Sequence, residues 1–289
     1  MSGFIACPPW SDGRMDAVVH PDLASFDAIA HDRLAADPVR NTVALTSLDQ
    51  ARRRPDPSRP PTLITFHDRG RLVGSVIRTP PWLVQAADLP LDGLELAIAR
   101  LRQVDPDLPG VTGPSEKAEA FATAWGEPFR VTMSTRLYRL GTLAPPVVAG
   151  GGRMATEADV ALLAPWQAEF TREASPDAPV RPAEEAVRNS FRLGNGHAVW
   201  EVDGTPVAWA AASAPVAGMT RVAPVYTPPE HRRHGYGAAV TAVVTRWAVD
   251  RGATGVVLFA DLTNPTSNSI YQRIGYEPVE DWTEYSWKR

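Results

Sequence analysis

The residues best placed to do chemistry lie between Met219 and Ala238, MTRVAPVYTPPEHRRHGYGA. His231, Arg232, Arg233 and His234 lead into Gly235-Tyr236-Gly237, and apolar residues then recur at Val240, Val243, Val244 and Trp247, the spacing of one helix face. The first turn of a helix carries partial positive charge and favours carboxylates. Here the approach is cationic instead, which is mildly unfavourable unless an anion sits between the loop amides and the guanidinium groups. Gly235 and Gly237 let backbone N–H groups approach such an anion without a Cβ in the way. The chemistry implied is capture of a phosphate or diphosphate. A solvated basic turn is the competing reading, and the strand and helix flanking the loop favour the anion site.

Other elements must hold this loop. Thr220 to Thr227 is rich in β-branched and aromatic residues and reads as a strand. Pro228 and Pro229 lack backbone N–H groups, so the strand stops there. Upstream, Thr156 and Asp159 form a capping-box pattern ahead of a helix that runs through Glu173. A second helix spans 182–193, and His197 to Val202 and Pro206 to Ala212 flank Asp203-Gly204 as a hairpin. Downstream, Gly255 to Ala260 is a continuous apolar run and reads as a buried central strand. Asn264 before Pro265 marks a helix start, Gly275 its stop, and Tyr276 onward reads as two closing strands.

Arg232-x-x-Gly235-x-Gly237, following a strand and opening a helix, resembles the acyl-CoA pyrophosphate loop of the GNAT acetyltransferase superfamily. The resemblance covers the chain from about Arg153 onward. The whole pattern is similar to a tandem GNAT protein with a degenerate first copy. This implies an α/β fold (α+β, mixed sheet) of two GNAT-like domains, each a mostly antiparallel mixed sheet flanked by helices. The expected division is 1–143, a Pro- and Gly-rich linker at 144–152, and a cofactor-binding domain at 153–289. The resemblance implies acetyl-CoA as cosubstrate and direct transfer of acetyl to an amine in a ternary complex. The pyrophosphate would rest on Arg232, Arg233, His234, Gly235, Tyr236, Gly237 and Ala238. The pantetheine arm would pair like an extra strand with Val225, Tyr226 and Thr227, where Pro224 frees an edge. Asn264 and Asn268 would add contacts, although Asn264 also reads as an N-cap and Asn268 equally as a residue facing water. Tyr271 matches the family's tyrosine that protonates the leaving thiolate, and it also reads as a core aromatic. Many members place a glutamate on the strand before the loop. Here Ala223 and Pro224 stand there, so the base is unassigned, with Glu201 and Asp261 as weak substitutes. The alternatives are an acyl-CoA sensor or partner-binding protein without turnover, or an acyltransferase with another donor or acceptor. A Rossmann dinucleotide fold would need its glycines directly after the strand.

The first half carries parallels. Thr62 to His67 and Arg71 to Arg78 flank Asp68-Arg69-Gly70 as a hairpin, and Arg78-Thr79-Pro80-Pro81 echoes Tyr226-Thr227-Pro228-Pro229. Helices are expected over 23–34, 94–103 and 115–125, and strands over 16–19, 110–112 and 131–140. The stretch from Asn41 to Leu48 fits either a strand or a short helix, and Gln50 to Pro61 reads as a loop. Leu83 to Leu89, where a phosphate loop belongs, has no Gly, Lys or Arg, so no cofactor site is expected in this half. The chain's 289 residues suit two domains, and 44% hydrophobic with 21% charged content is that of a globular protein. A net charge of −4 gives no basic field for nucleic acid. Cys7 is the only cysteine, which excludes an intrachain disulfide and a Cys-rich metal site. No signal peptide or membrane-length apolar run is visible, so a cytoplasmic protein is expected. The expected partner is a small-molecule or peptide amine, acting on a monomer or homodimer without a metal.

Overall fold

The computed structural model describes residues 15–174 and 182–288. Cys7 and the opening residues Pro8 to Asp12 lie outside them. The first half runs β1 (Met15–Val19), α1 (Leu23–Ala36), α2 (Thr42–Arg53), β2 (Thr62–Asp68), β3 (Arg71–Arg78), β4 (Val84–Gln85), α3 (Leu94–Val104), β5 (Gly110–Pro114), α4 (Ser115–Trp125) and β6 (Phe129–Leu140). Asp22 caps α1 by accepting the Ser25 amide at 2.8 Å. The β2–β3 hairpin turns through Arg69 and Gly70, both at positive φ. The undecided stretch from Asn41 is helical and continues to Arg53, into what the sequence reads as a loop from Gln50. Ala44, Leu45 and Leu48 pack there against Phe26, Leu34 and Leu63. Burial of one helix face outweighs the weak local signal.

The second half runs β7 (Gly151–Met154), α5 (Val160–Ala174), α6 (Ala183–Arg192), β8 (Gly196–Val202), β9 (Thr205–Ala212), β10 (Met219–Tyr226), α7 (Tyr236–Asp250), β11 (Gly255–Asp261), α8 (Pro265–Arg273) and β12 (Tyr276–Trp287). Thr156 and Asp159 do form a reciprocal capping box, with the Thr156 amide donating to Asp159 at 2.8 Å. Asn264 caps α8 by accepting the Ser267 amide at 3.0 Å. The two expected closing strands are one long strand, β12. Pro278, which cannot donate to a ladder, is absorbed by a register shift between Pro278 and Glu280 rather than ending the strand.

All twelve strands form one mixed sheet in the order β1-β2-β3-β4-β5-β12-β6-β11-β10-β9-β8-β7. Only β4–β5 and β10–β11 are parallel pairs. The last strand of each half crosses over. β12 lies between β5 and β6, and β6 lies between β12 and β11. One face of the sheet packs on α3, α4, α7 and α8, through the Phe121–Trp125–Trp287 stack on one side and Val222, Val240, Val244 and Leu258 on the other. The opposite face packs on α1, α2, α5 and α6, with Met219, Val257, Leu137 and Trp282 joining the two halves beneath Val39 and Val43. No helix is long and apolar enough to cross a membrane among the described residues.

Candidate functional site

The site begins where two parallel strands part. β10 and β11 pair from Met219–Gly255 to Val222–Leu258 and no further. Beyond that point Ala223 and Pro224 interrupt β10, its register against β9 shifts, and Val225 and Tyr226 pair with β9 alone. β11 continues to Asp261 against β6. The result is a wedge in the middle of the sheet, bordered on one side by Val225 to Thr227. In the first half the corresponding strands do not part. Ala86 donates to Thr112 at 2.9 Å just past β4, and a Cβ on Gly113 would stand only 3.3 Å from Ala86.

After the strand a short 3-10 turn, Pro229–His231, leads to Arg233 at φ 69 and Gly235 at φ 84, and α7 starts at Tyr236. Gly235 gives α7 no side-chain cap, so the first amides of this helix lack the partner a Ser or Asp would supply. A Cβ on Gly237 would meet only Thr227 Oγ1, at 3.4 Å. Among the described residues no other atom stands in the space that glycine leaves.

A cleft of about 880 Å³ opens beside this helix start. Arg233, Gly235 and Ala238 line it from the loop and α7, and Thr266, Ile270, Arg273 and Ile274 line it from α8. Ala144, Pro145 and Pro146 form a third wall. The lining thus combines two guanidinium groups with an apolar trough and no carboxylate. Sequence reasoning missed Arg273 and the prolines. An exposed arginine near a helix end and two linker prolines carry no motif, and only the packing of α8 and the linker against α7 brings them to the loop.

The other expected residues separate into groups. Arg232 is turned away from the cleft. Its Nε donates to Thr227 O at 2.9 Å, its terminal nitrogen binds both oxygens of Glu173 at 2.8 and 2.9 Å, and its guanidinium lies 5.8 Å from the Tyr226 ring centre. It fixes the loop to α5. Among the described residues Arg232 is thus taken up by Glu173, whereas Arg233 lines the cleft. Tyr226 has a buried side chain in the α5 core, leaving only its backbone at the wedge. His234 Nδ1 donates within its own loop to His231 O at 3.3 Å, and its ring stacks on Tyr236.

On α8, Asn264 is the N-cap. Asn268 donates to Asp261 O at 2.7 Å and Asn264 O at 2.8 Å, and accepts from Tyr138 Oη at 2.7 Å. Its side chain is committed inside the protein, so its contribution is to hold α8 and not to reach a ligand. Tyr138 comes from β6, so the first half secures this helix. Tyr271 is 9% exposed, between Tyr138 and Tyr276 at ring separations of 6.5 and 6.3 Å. Burial pushes its hydroxyl up to about 12, and no partner meets that hydroxyl among the described residues. Of the two substitute bases, Glu201 is bound by Arg153 at 2.8 Å on β8, away from the wedge, and Asp261 accepts from Thr263 at 2.7 Å at the end of β11. No cluster of three His, Cys, Asp or Glu suited to a metal occurs among the described residues.

A wedge between parallel strands, an uncapped helix start and a cationic, apolar cleft are the features of this half that suit a long ligand with an anionic end. Residues 160–276 match the profile described as the Acetyltransferase (GNAT) family. Solved structures match nearly the whole chain. A GNAT-family acetyltransferase from Colwellia psychrerythraea aligns over 95% of this chain and all (100%) of its own, with TM-score 0.58 and 12% identity. A tandem GNAT protein from the clavulanic acid biosynthesis pathway aligns over 94% of this chain and 98% of its own, with TM-score 0.57 and 14% identity. A GCN5-related N-acetyltransferase from Kribbella flavida aligns over 75% of this chain and 88% of its own, with TM-score 0.55 and 24% identity. The fold is that of tandem GNAT proteins. A search of the curated proteins finds no match.

Proposed function

We propose that the second half binds acetyl-CoA and transfers its acetyl group to an amine in a ternary complex, while the first half completes the core and walls the acceptor side. The observation that carries this reading is the cleft itself. Arg233, Arg273 and the bare start of α7 offer three sources of positive potential, and Ile270, Ile274 and the linker prolines offer an apolar wall beside them. These residues fit a diphosphate followed by an extended arm. When bound, acetyl-CoA supplies an acyl thioester at the wedge.

The chain's own groups have distinct parts in the reaction. The amine forms the new C–N bond as the C–S bond breaks, and one proton leaves the nitrogen. A backbone N–H on the freed stretch of β10 would stabilise the developing oxyanion. Tyr271 would donate a hydrogen bond to the departing sulfur. With its hydroxyl near 12 and an ordinary thiol near 8.5, complete proton transfer from tyrosine to thiolate would be uphill by roughly 5 kcal/mol. Tyr271 therefore serves best as a donor that keeps its proton until late. Ala223 and Pro224 leave β10 without a carboxylate, which assigns amine deprotonation to water or a backbone carbonyl.

The test is calorimetric binding of acetyl-CoA, followed by thiol release across a panel of amines. Arg233→Ala and Arg273→Ala should each weaken binding about 10-fold, in the range of one charge-assisted hydrogen bond. Absence of acetyl-CoA binding in the wild type refutes the reading. A second reading, an acyl-CoA-binding protein without turnover, is favoured by the missing carboxylate on β10. It expects binding with no thiol release for any amine, and indifference to Tyr271→Phe.

A further inference from the structure

Arg221 stands apart from the other half-buried arginines. It alternates on β10 with Thr220 and Val222, and Val222 packs on the α7 side. Its own side chain therefore lies on the opposite face, with Met219 and Val257, where α2 and α5 pack. Its backbone is satisfied, since its N–H donates to Ser213 Oγ at 3.0 Å and its carbonyl accepts from Ser213 at 2.9 Å. Its guanidinium is not. Among the described residues no carboxylate, carbonyl or hydroxyl meets it. Arg78, Arg136 and Arg153, by contrast, each hold a carboxylate at 2.6 to 2.8 Å. The protein crowds Arg221 closely enough that burial alone pulls its guanidinium down to about 10, while part of its surface still reaches solvent. A crowded cation without a counter-charge is costly to maintain. Its neighbours across the strands, Ser213 and Val257, are uncharged.

Its position gives this cation a use. The Val222–Leu258 pair, one residue on, is the last before the wedge. We propose that Arg221 docks a carboxylate on the amine acceptor, so that the acceptor carries its amine at the wedge and its anion several bonds away. This rests on the acetyl-transfer reading above. A single guanidinium matches a monoanion in a bidentate pair and leaves a second phosphate charge uncompensated. Arg221 precedes Val225 by four residues, roughly 13 Å at ordinary strand rise and less across the register shift. The arginine side chain spans part of that gap and the acceptor spans the rest. An α-amino acid, whose two groups share one carbon, is too short.

The experiment uses the full chain, with 6-aminohexanoate, its carboxamide and glycine as acceptors. Binding of the products N-acetyl-6-aminohexanoate and N-acetyl-6-aminohexanamide to the CoA-saturated protein gives a readout that needs no turnover. The wild type should favour 6-aminohexanoate over its carboxamide, and the acetylated acid over the acetylated amide, by about 10- to 100-fold, the range for a charge-assisted hydrogen bond. Glycine should be the poorer acceptor. Arg221→Met should erase both preferences and Arg221→Lys should keep part of them, with acetyl-CoA affinity unchanged as the check on folding. Equal handling of acid and amide by the wild type, or a preference that survives Arg221→Met, overturns the proposal. If acetyl-CoA does not bind the wild type, the acetyl-transfer reading falls and takes this one with it.

Discussion

Replacing Gly237 by alanine should raise stability and lower acyl-CoA affinity at once. Gly237 lies in the first turn of α7, where alanine is favoured over glycine by up to about 1 kcal/mol. The added methyl would touch only Thr227 Oγ1, at an acceptable 3.4 Å, so no clash offsets the gain. For a protein of this size, that predicts a rise in melting temperature of up to about 2 °C. The bound state responds in the opposite sense. If the diphosphate lies against the α7 amides, a methyl at Gly237 pushes it out of hydrogen-bond range of one or two of them. Each such bond to a charged group contributes about 1.5–3 kcal/mol, so affinity should fall about 10- to 100-fold or more. Differential scanning calorimetry and isothermal titration with acetyl-CoA measure the two effects on one preparation. A variant that melts higher and binds as tightly as wild type would refute the placement of the diphosphate. A variant that melts lower would refute the packing argument for Gly237 itself.

Other outcomes follow from the same geometry. Tyr271→Phe should reduce kcat by at least about 10-fold with acetyl-CoA affinity retained, read by thiol release and calorimetry. Because burial raises the Tyr271 hydroxyl from 10 to about 12, the folded state holds that proton longer than the unfolded chain. Its contribution to stability is present below pH 10 and is lost as pH rises toward 12, and Tyr271→Phe should flatten urea-melt stability in that window. Glu173→Gln releases Arg232 from a half-exposed ion pair and should cost no more than about 1 kcal/mol in chemical denaturation, with the larger effect in loop mobility measured by amide exchange. Tyr138→Phe removes the hydroxyl that Asn268 accepts, and should cost about 1–2 kcal/mol and loosen α8 in the same exchange experiment.

Local chemistry makes much of this protein legible in its sequence. The two hairpin turns, the capping box at Thr156, the N-cap at Asn264 and the break at Pro224 each depend on residues within four positions of one another. The sequence alone therefore locates the loop, the wedge and the helix start. What it could not show are pairings between distant residues. Nothing local in Arg232 reveals that Glu173 holds it, or in Asn268 that Tyr138 of the other half saturates it. Both therefore read as ligand contacts from the sequence. Arg273, Pro145 and Pro146 reach the cleft only through the docking of α8 and the linker. For Arg221, periodicity shows which face the residue takes but not whether a counter-charge waits there. The partners of β6 and β12 were illegible for the same reason, since alternation fixes the sides of a strand and not its neighbours.

That crossover of β6 and β12 governs how the protein can be made and cut. Val111 finds its neighbour at Tyr285, and Phe259 finds one at Leu137. A ribosome therefore releases the first half with the edge of β5 unprotected until the segment beyond Tyr276 has been synthesised. Severing the chain at 144–152 would strip each piece of a central strand, leaving two sticky edges. The wedge would lose the rung that steadies β11, and the tyrosine that anchors α8 would leave with it. The two halves are therefore two ends of one assembly event rather than separable modules.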